Sequence, residues 1–199
     1  MHWYENDIQR LEREKKPLIR DHESVVFYGS SSFTLWDALE TSFPGHHVIN
    51  MGFGGSTLSG CGWFFDRVLG GKVPKSLVLY AGDNDLGDGR HPEEVFLFFE
   101  VIHSYVRAYM PDMPFTFISV KPSPARMHLV PKMKQLNGWV EQSLSLSSQE
   151  TFIDVFNPMM EYGNGLGALY THDGLHMNDQ GYEIWKKALS AKGDRVFGG

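Results

Sequence analysis

The chain has 199 residues, 42% of them hydrophobic and 21% charged, enough for one domain with a full core and too few for a comfortable second one. A net charge of −6, with no Lys/Arg stripe beyond the first twenty residues, argues against a nucleic-acid partner, and no apolar run approaches the ~20 residues of a membrane span. The single Cys61 excludes an internal disulfide framework and a cysteine metal cluster, and reads as a small packed residue.

Met1-His2-Trp3-Tyr4-Glu5 lacks the charged-then-apolar pattern of a signal peptide, so the expectation is a cytoplasmic protein. From Tyr4 to Lys16, alternating acids and bases with Ile8 and Leu11 on one side predict a solvated helix laid on the domain and ended by Pro17. Val25-Val26-Phe27-Tyr28-Gly29 reads as a buried parallel strand that hands over to Ser30-Ser31-Ser32, with a helix following over 34–39. Serines at this point also cap helices, so Ser30 and Ser32 have that reading open to them.

Pro44-Gly45 makes a turn, and His47-Val48-Ile49-Asn50 a second strand running into the glycines at 52, 54 and 55. Leu58 to Leu69 reads as a helix, 76–81 as a third strand ending at Gly82-Asp83-Asn84-Asp85, and Pro92 to about Met110 as a long helix with proline and acids in its first turn. A fourth strand, 115–120, leads into Lys121-Pro122-Ser123-Pro124-Ala125-Arg126. A helix over 131–146, a fifth strand over 151–155 and a Gly-rich loop over 162–168 follow. After Thr171-His172-Asp173-Gly174-Leu175-His176, Asn178 caps a last helix with Tyr182, Trp185 and Leu189 on its inner face. Strands alternating with helices predict a three-layer α/β/α domain spanning 1–199 around a parallel sheet.

A parallel sheet brings its strand ends to one edge, so Ser31, the Gly52-Phe53-Gly54-Gly55 loop, Asn84 and the Asp173/His176 pair converge there. A serine hydroxyl needs a general base to become a nucleophile, and His176 can supply it. Asp173, three residues earlier across a turn opened by Gly174, can hold that imidazole in the required tautomer. Candidate donors to an oxyanion are the backbone N–H groups of Ser31 and Gly55 and the side-chain amide of Asn84.

Taken together, Gly29-Ser30-Ser31, Asn50-Met51-Gly52-Phe53-Gly54-Gly55, Gly82-Asp83-Asn84-Asp85 and Asp173-Gly174-Leu175-His176 resemble the SGNH (GDSL-type) hydrolase family from about Val25 to the last helix. The resemblance implies a five-stranded parallel sheet in flavodoxin-like order and a serine esterase needing no cofactor. In it Ser31 is nucleophile and oxyanion donor, Gly55 and Asn84 the other donors, His176 the base and Asp173 its orienting acid. One position departs from the family: the aspartate that commonly precedes the nucleophile is here Ser30. The segment from Lys121 to Arg126 resembles one in some bacterial members. Lys121 and Arg126 are therefore candidates to meet an anionic or sugar-like substrate, with a structural tie as the alternative. Trp36, Phe53, Leu58, Trp63 and Met177 are candidates to line an acyl or sugar pocket.

Two other constellations are present in the sequence. His172 and His176 with Asp173, Asp83 and Asp85 have the composition of a metal site, but Gly174 between the histidines breaks the helical geometry that their spacing would need, so no metal is expected. This leaves Asp85 to tie down its loop and Asp83 exposed. A phosphate cradle in the glycine loop lacks G-x-G-x-x-G and leaves Asp173 and His176 without a role. The expected partner is a small-molecule ester, the acyl group short and in one version acetyl on a carbohydrate. A catalytically silent carbohydrate- or ligand-binding relative is the alternative, and the oligomeric state is left open.

Overall fold

A computed structural model, describing residues 1–199, places the Val25–Tyr28 run at the heart of a parallel sheet. Before it, residues 2–18 are helical: α1 (Glu5–Arg10) continues through a widened turn at Leu11–Lys15 into a tight last turn containing Pro17. This segment buries Tyr4, Ile8 and Leu11, while Glu5 and Glu12 both accept hydrogen bonds from Arg67 at 2.7–3.0 Å. The charges expected to be merely wet therefore include two that fasten the segment to the domain.

In chain order there follow β1 (Ser24–Gly29), α2 (Ser31–Thr34), β2 (His47–Gly52), α3 (Leu58–Leu69), β3 (Ser76–Tyr80), α4 (Asp83–Gly87) and α5 (Pro92–Tyr109). Then come β4 (Phe115–Ile118), α6 (Val130–Leu144), β5 (Glu150–Ile153), α7 (Phe156–Met160), α8 (Asp179–Ser190) and α9 (Gly193–Phe197). All five strands are parallel in the order β2-β1-β3-β4-β5, the flavodoxin-like arrangement. No helix is long and apolar enough to cross a membrane.

Alternation along β1 divides the core, because successive side chains of a strand face opposite sides of the sheet. Val26 and Tyr28 join a cluster with Ile8, Phe64, Phe99, Phe117 and Val140 from the N-terminal segment, α3, α5, β4 and α6. Val25 and Phe27 join the opposite cluster with Phe33, Trp36, Trp185 and Phe197. Helix ends follow local chemistry: Thr57 Oγ1 accepts from Gly60 N–H at 3.0 Å, and Asn178 Oδ1 accepts from the N–H groups of Gln180 and Gly181.

One expected element differs. In place of a helix over 34–39, α2 is a single turn at 31–34, and the chain swings so that the Trp36 ring stacks on Tyr182 with centroids 5.0 Å apart. Burial of an indole against α8 outweighs the gain from further helical turns in so short a stretch.

Candidate active site

The turn that carries Ser31 is dictated by backbone sterics. Gly29 has φ +148°, and a Cβ there would lie 1.8 Å from the Tyr80 carbonyl oxygen, so only glycine fits between β1 and β3. Its carbonyl accepts from Phe53 N–H at 2.9 Å, and the next N–H, of Ser30, donates to Tyr80 O at 3.0 Å. Gly29 also pairs in register with Gly52 on one side and Tyr80 on the other. The segments leading to Ser31, Gly55 and Asn84 thus leave the sheet side by side, one strand spacing of about 4.8 Å apart. This is where the strand order reverses, the usual ligand crevice of such a sheet.

Ser30 is the residue before the first turn of α2, yet its side chain makes no capping bond; its Oγ is buried without a partner, on the position where the family commonly has aspartate. Ser31 opens α2 and is half-buried.

Gly54 and Gly55 are exposed, and Gly55 adopts φ +68°, a left-handed turn that suits glycine. The Tyr4 hydroxyl donates to the Gly55 carbonyl at 2.9 Å, so the N-terminal segment reaches this loop. Sequence reasoning missed that contact, although Tyr4 shares the helical spacing of Ile8 and Leu11. Asn84 Nδ2 donates to Ser56 O at 3.0 Å, and its Oδ1 accepts from Arg126 Nη2 at 3.0 Å. Behind it, Asp85 is fully buried; its Oδ2 accepts from Leu58 N–H at 2.8 Å at the start of α3, as expected for a loop tie. Burial pushes its carboxyl up to about 6, against the lowering effect of that hydrogen bond.

The imidazole sits in a loop closed by the antiparallel bridge Tyr170–Met177. Asp173 Oδ1 accepts from Leu175 N–H at 2.8 Å, His176 N–H at 2.9 Å and Thr171 Oγ1 at 2.9 Å, which leaves Oδ2 for His176 Nδ1 at 2.6 Å. The backbone N–H groups of His176 and Leu175, with the imidazole, hold the Asp173 carboxyl well below the usual carboxylate range. An ionised acid at Nδ1 favours the Nδ1–H tautomer and leaves Nε2 as the acceptor. Of the two ring nitrogens, Nδ1 is the one engaged, and no hydrogen bond joins Nε2 to the Ser31 hydroxyl. His172 is exposed.

Several expected substrate contacts are instead packing groups. Phe53 and Leu58 are wholly buried, Trp36 and Met177 almost so, and Trp63 projects to solvent from α3. Lys121 is buried as well: its Nζ donates to Leu175 O at 2.9 Å and lies 3.7 Å from Asp83 Oδ2, while burial lowers the pKa of its ammonium. Asp83, expected to be exposed, is buried against Lys121 and Arg126, whose Nη1 lies 3.1 Å from Asp83 Oδ2. An unpaired surface carboxylate would gain little here, whereas the buried Lys121 and the partly buried Arg126 need a counter-charge. Arg126 thus takes the structural-tie reading.

The sequence matches the model of the GDSL-like Lipase/Acylhydrolase family over residues 24–184. No curated protein matches the chain in sequence. Among solved structures it resembles a provisionally assigned platelet activating factor from Streptococcus pneumonia (TM-score 0.79, 21% identity, 96% of this chain and 94% of that one). It also resembles a GDSL-like lipase from Bacteroides thetaiotaomicron (TM-score 0.74, 22% identity, 96% and 95%). A carbohydrate esterase of family 3 from Talaromyces cellulolyticus is more distant (TM-score 0.66, 13% identity, 87% and 97%). With a matched family model over most of its length and a sheet that brings the first three blocks to neighbouring strand ends, the chain belongs to the GDSL-like lipase/acylhydrolase family and is a hydrolase.

Proposed function

We propose that this hydrolase is a serine esterase in which Ser31, His176 and Asp173 act together. Ser31 Oγ attacks the ester carbonyl carbon while its proton passes to His176 Nε2, and Asp173 stabilises the imidazolium. The negative charge on the carbonyl oxygen is met by the N–H groups of Ser31 and Gly55 and by the free N–H of Asn84 Nδ2. The carbon–oxygen bond to the alcohol then breaks, the alcohol leaves with the proton from Nε2, and water activated by the same nitrogen releases the acyl group from Ser31.

The observation that carries this reading is the Asp173–His176 pair: with three donors on Oδ1, the carboxylate has one oxygen left, and it holds Nδ1 at 2.6 Å. A short acyl group on a polar alcohol, acetyl on a carbohydrate among them, is favoured because the best-defined cavities are not lined by Ser31, Asn84 or His176. A cavity of about 550 Å³ beside Phe96, Leu97 and Trp139 holds no nucleophile–base pair. The resemblance to a carbohydrate esterase agrees with that substrate class.

The rival reading, a silent ligand-binding relative, draws on the absent Ser31–His176 hydrogen bond. A fluorophosphonate probe separates the two, since only an activated serine is labelled. Wild type should be labelled and should hydrolyse p-nitrophenyl acetate; Ser31→Ala should fold normally, escape labelling and lose about 10⁴-fold or more in kcat. An unlabelled wild type, or a Ser31→Ala variant of full activity, overturns the proposal.

A further inference from the structure

A carboxamide turns by half a rotation at little cost in shape, and only one of its two orientations aims N–H groups at an oxyanion. For Asn84 the two neighbours are chemically opposite. The Ser56 carbonyl only accepts and takes one N–H of Nδ2; the Arg126 guanidinium only donates and is taken by Oδ1, each at 3.0 Å. Reversing the amide would set Nδ2 against the guanidinium and Oδ1 against a carbonyl oxygen.

The guanidinium is itself fixed. Its other arm lies 3.1 Å from Asp83 Oδ2, and a Cβ on Gly87, at the end of α4, would meet Nη2 at 2.9 Å and Cζ at 3.0 Å, so the fork lies flat against that backbone. Asp83 in turn faces Lys121, whose Nζ holds Leu175 O next to the histidine. Ala125 N–H adds a bond to Gly174 O at 3.0 Å.

Resting on the esterase reading above, we propose that Arg126 is a positioning residue for catalysis: it locks the Asn84 carboxamide with its free N–H toward the oxyanion and strengthens that donor by drawing electron density from Oδ1. The Lys121–Asp83–Arg126 chain also ties the donor to the histidine loop, so both sides of the reacting carbonyl share one buried anchor. Arg126 does not bind substrate, and its contribution appears in kcat, because charge develops on the carbonyl oxygen both when the acyl group reaches Ser31 and when water releases it.

The test is a cycle of variants assayed for p-nitrophenyl acetate hydrolysis. Asn84→Ala should lower kcat by ~10²–10³-fold, as loss of one oxyanion donor does, and Arg126→Ala by about 10–10²-fold with KM within about twofold. On the Asn84→Ala background, Arg126→Ala should cost less than about threefold more, because there is no amide left to orient. Arg126→Lys keeps the charge beside Asp83 without the fork and should recover part of the loss. Gly87→Ala displaces the guanidinium with no change of charge, and its loss in kcat should also vanish on the Asn84→Ala background.

If Arg126→Ala fails to fold, the Arg126→Lys and Gly87→Ala cycles decide. Losses that multiply with that of Asn84→Ala, a defect confined to KM, or full kcat in both Arg126→Lys and Gly87→Ala would each overturn the proposal. A wild type that is inert and unlabelled by fluorophosphonate would instead fail the esterase reading.

Discussion

Asp85, behind the turn that follows β3, and Asp173, in the loop before α8, carry the same carboxyl group into opposite surroundings. Asp85 is sealed under α3, and burial raises its pKa to about 6. Asp173 is substantially exposed, yet hydrogen-bond donors crowd it and its pKa falls well below the usual range. The two halves of the site differ in the same way. The half that holds Ser31 and Asn84 is fixed by strand register and buried ties, whereas the half that holds His176 is fixed by hydrogen bonds in a wet loop. Under the proposed mechanism this division is apt: rigid backbone suits groups that must wait for a developing charge, and a solvent-facing loop suits a base that exchanges protons with water.

The most severe way to break the buried half is Gly29→Ala. A methyl 1.8 Å from Tyr80 O must part β1 from β3, and the cost should exceed about 4 kcal/mol, seen as loss of a cooperative unfolding transition in denaturant. The wet half should fail in the other manner: Asp173→Asn should still fold cooperatively, with a modest fall in Tm at neutral pH, but lose ~10³–10⁴-fold in kcat, because the amide lets Nδ1 become the acceptor and misdirects Nε2. Should Asp173→Asn instead lower Tm strongly while the folded enzyme keeps its kcat, the loop would be structural rather than catalytic.

The smallest effect separates the carboxylates by pH. Asp85 binds its proton more tightly folded than unfolded, so its contribution falls as pH rises from about 4 through about 6. The contribution of Asp173 runs oppositely, present at neutral pH and lost as pH falls below the unfolded carboxylate range. Asp85→Asn keeps an acceptor for Leu58 N–H while removing the ionisation. Its stability relative to wild type should therefore improve by on the order of 2–3 kcal/mol between pH 4 and pH 7, measured by urea denaturation at each pH. A constant difference across that range would mean that Asp85 ionises as freely in the native state as in the unfolded chain.

Much of the frame was legible in the sequence because it rests on local rules. The apolar runs at Val25, Ser76 and Phe115 are strands, and α3 begins and ends at Leu58 and Leu69 as its pattern predicts. The Asp173–His176 contact is also local, three residues across a turn. What escaped is nonlocal. Nothing near Asp83 announces that Arg126, 43 positions on, will bury it, and nothing near Trp36 announces the Tyr182 ring that draws it inward. Residues of pocket-like chemistry, Phe53 and Lys121 among them, became core and anchor once the layers closed.

The strand order has a consequence for a chain that emerges from the ribosome amino end first. β1 is flanked by β2 and then by β3, after which each newcomer pairs with its immediate predecessor, β4 on β3 and β5 on β4. The sheet therefore grows outward in one direction. Until β5 arrives, the apolar Phe115-Thr116-Phe117-Ile118 strand forms its unguarded rim, open to pairing with a neighbouring nascent copy. Aggregation during synthesis should accordingly concentrate in the window between translation of the fourth strand and of the fifth.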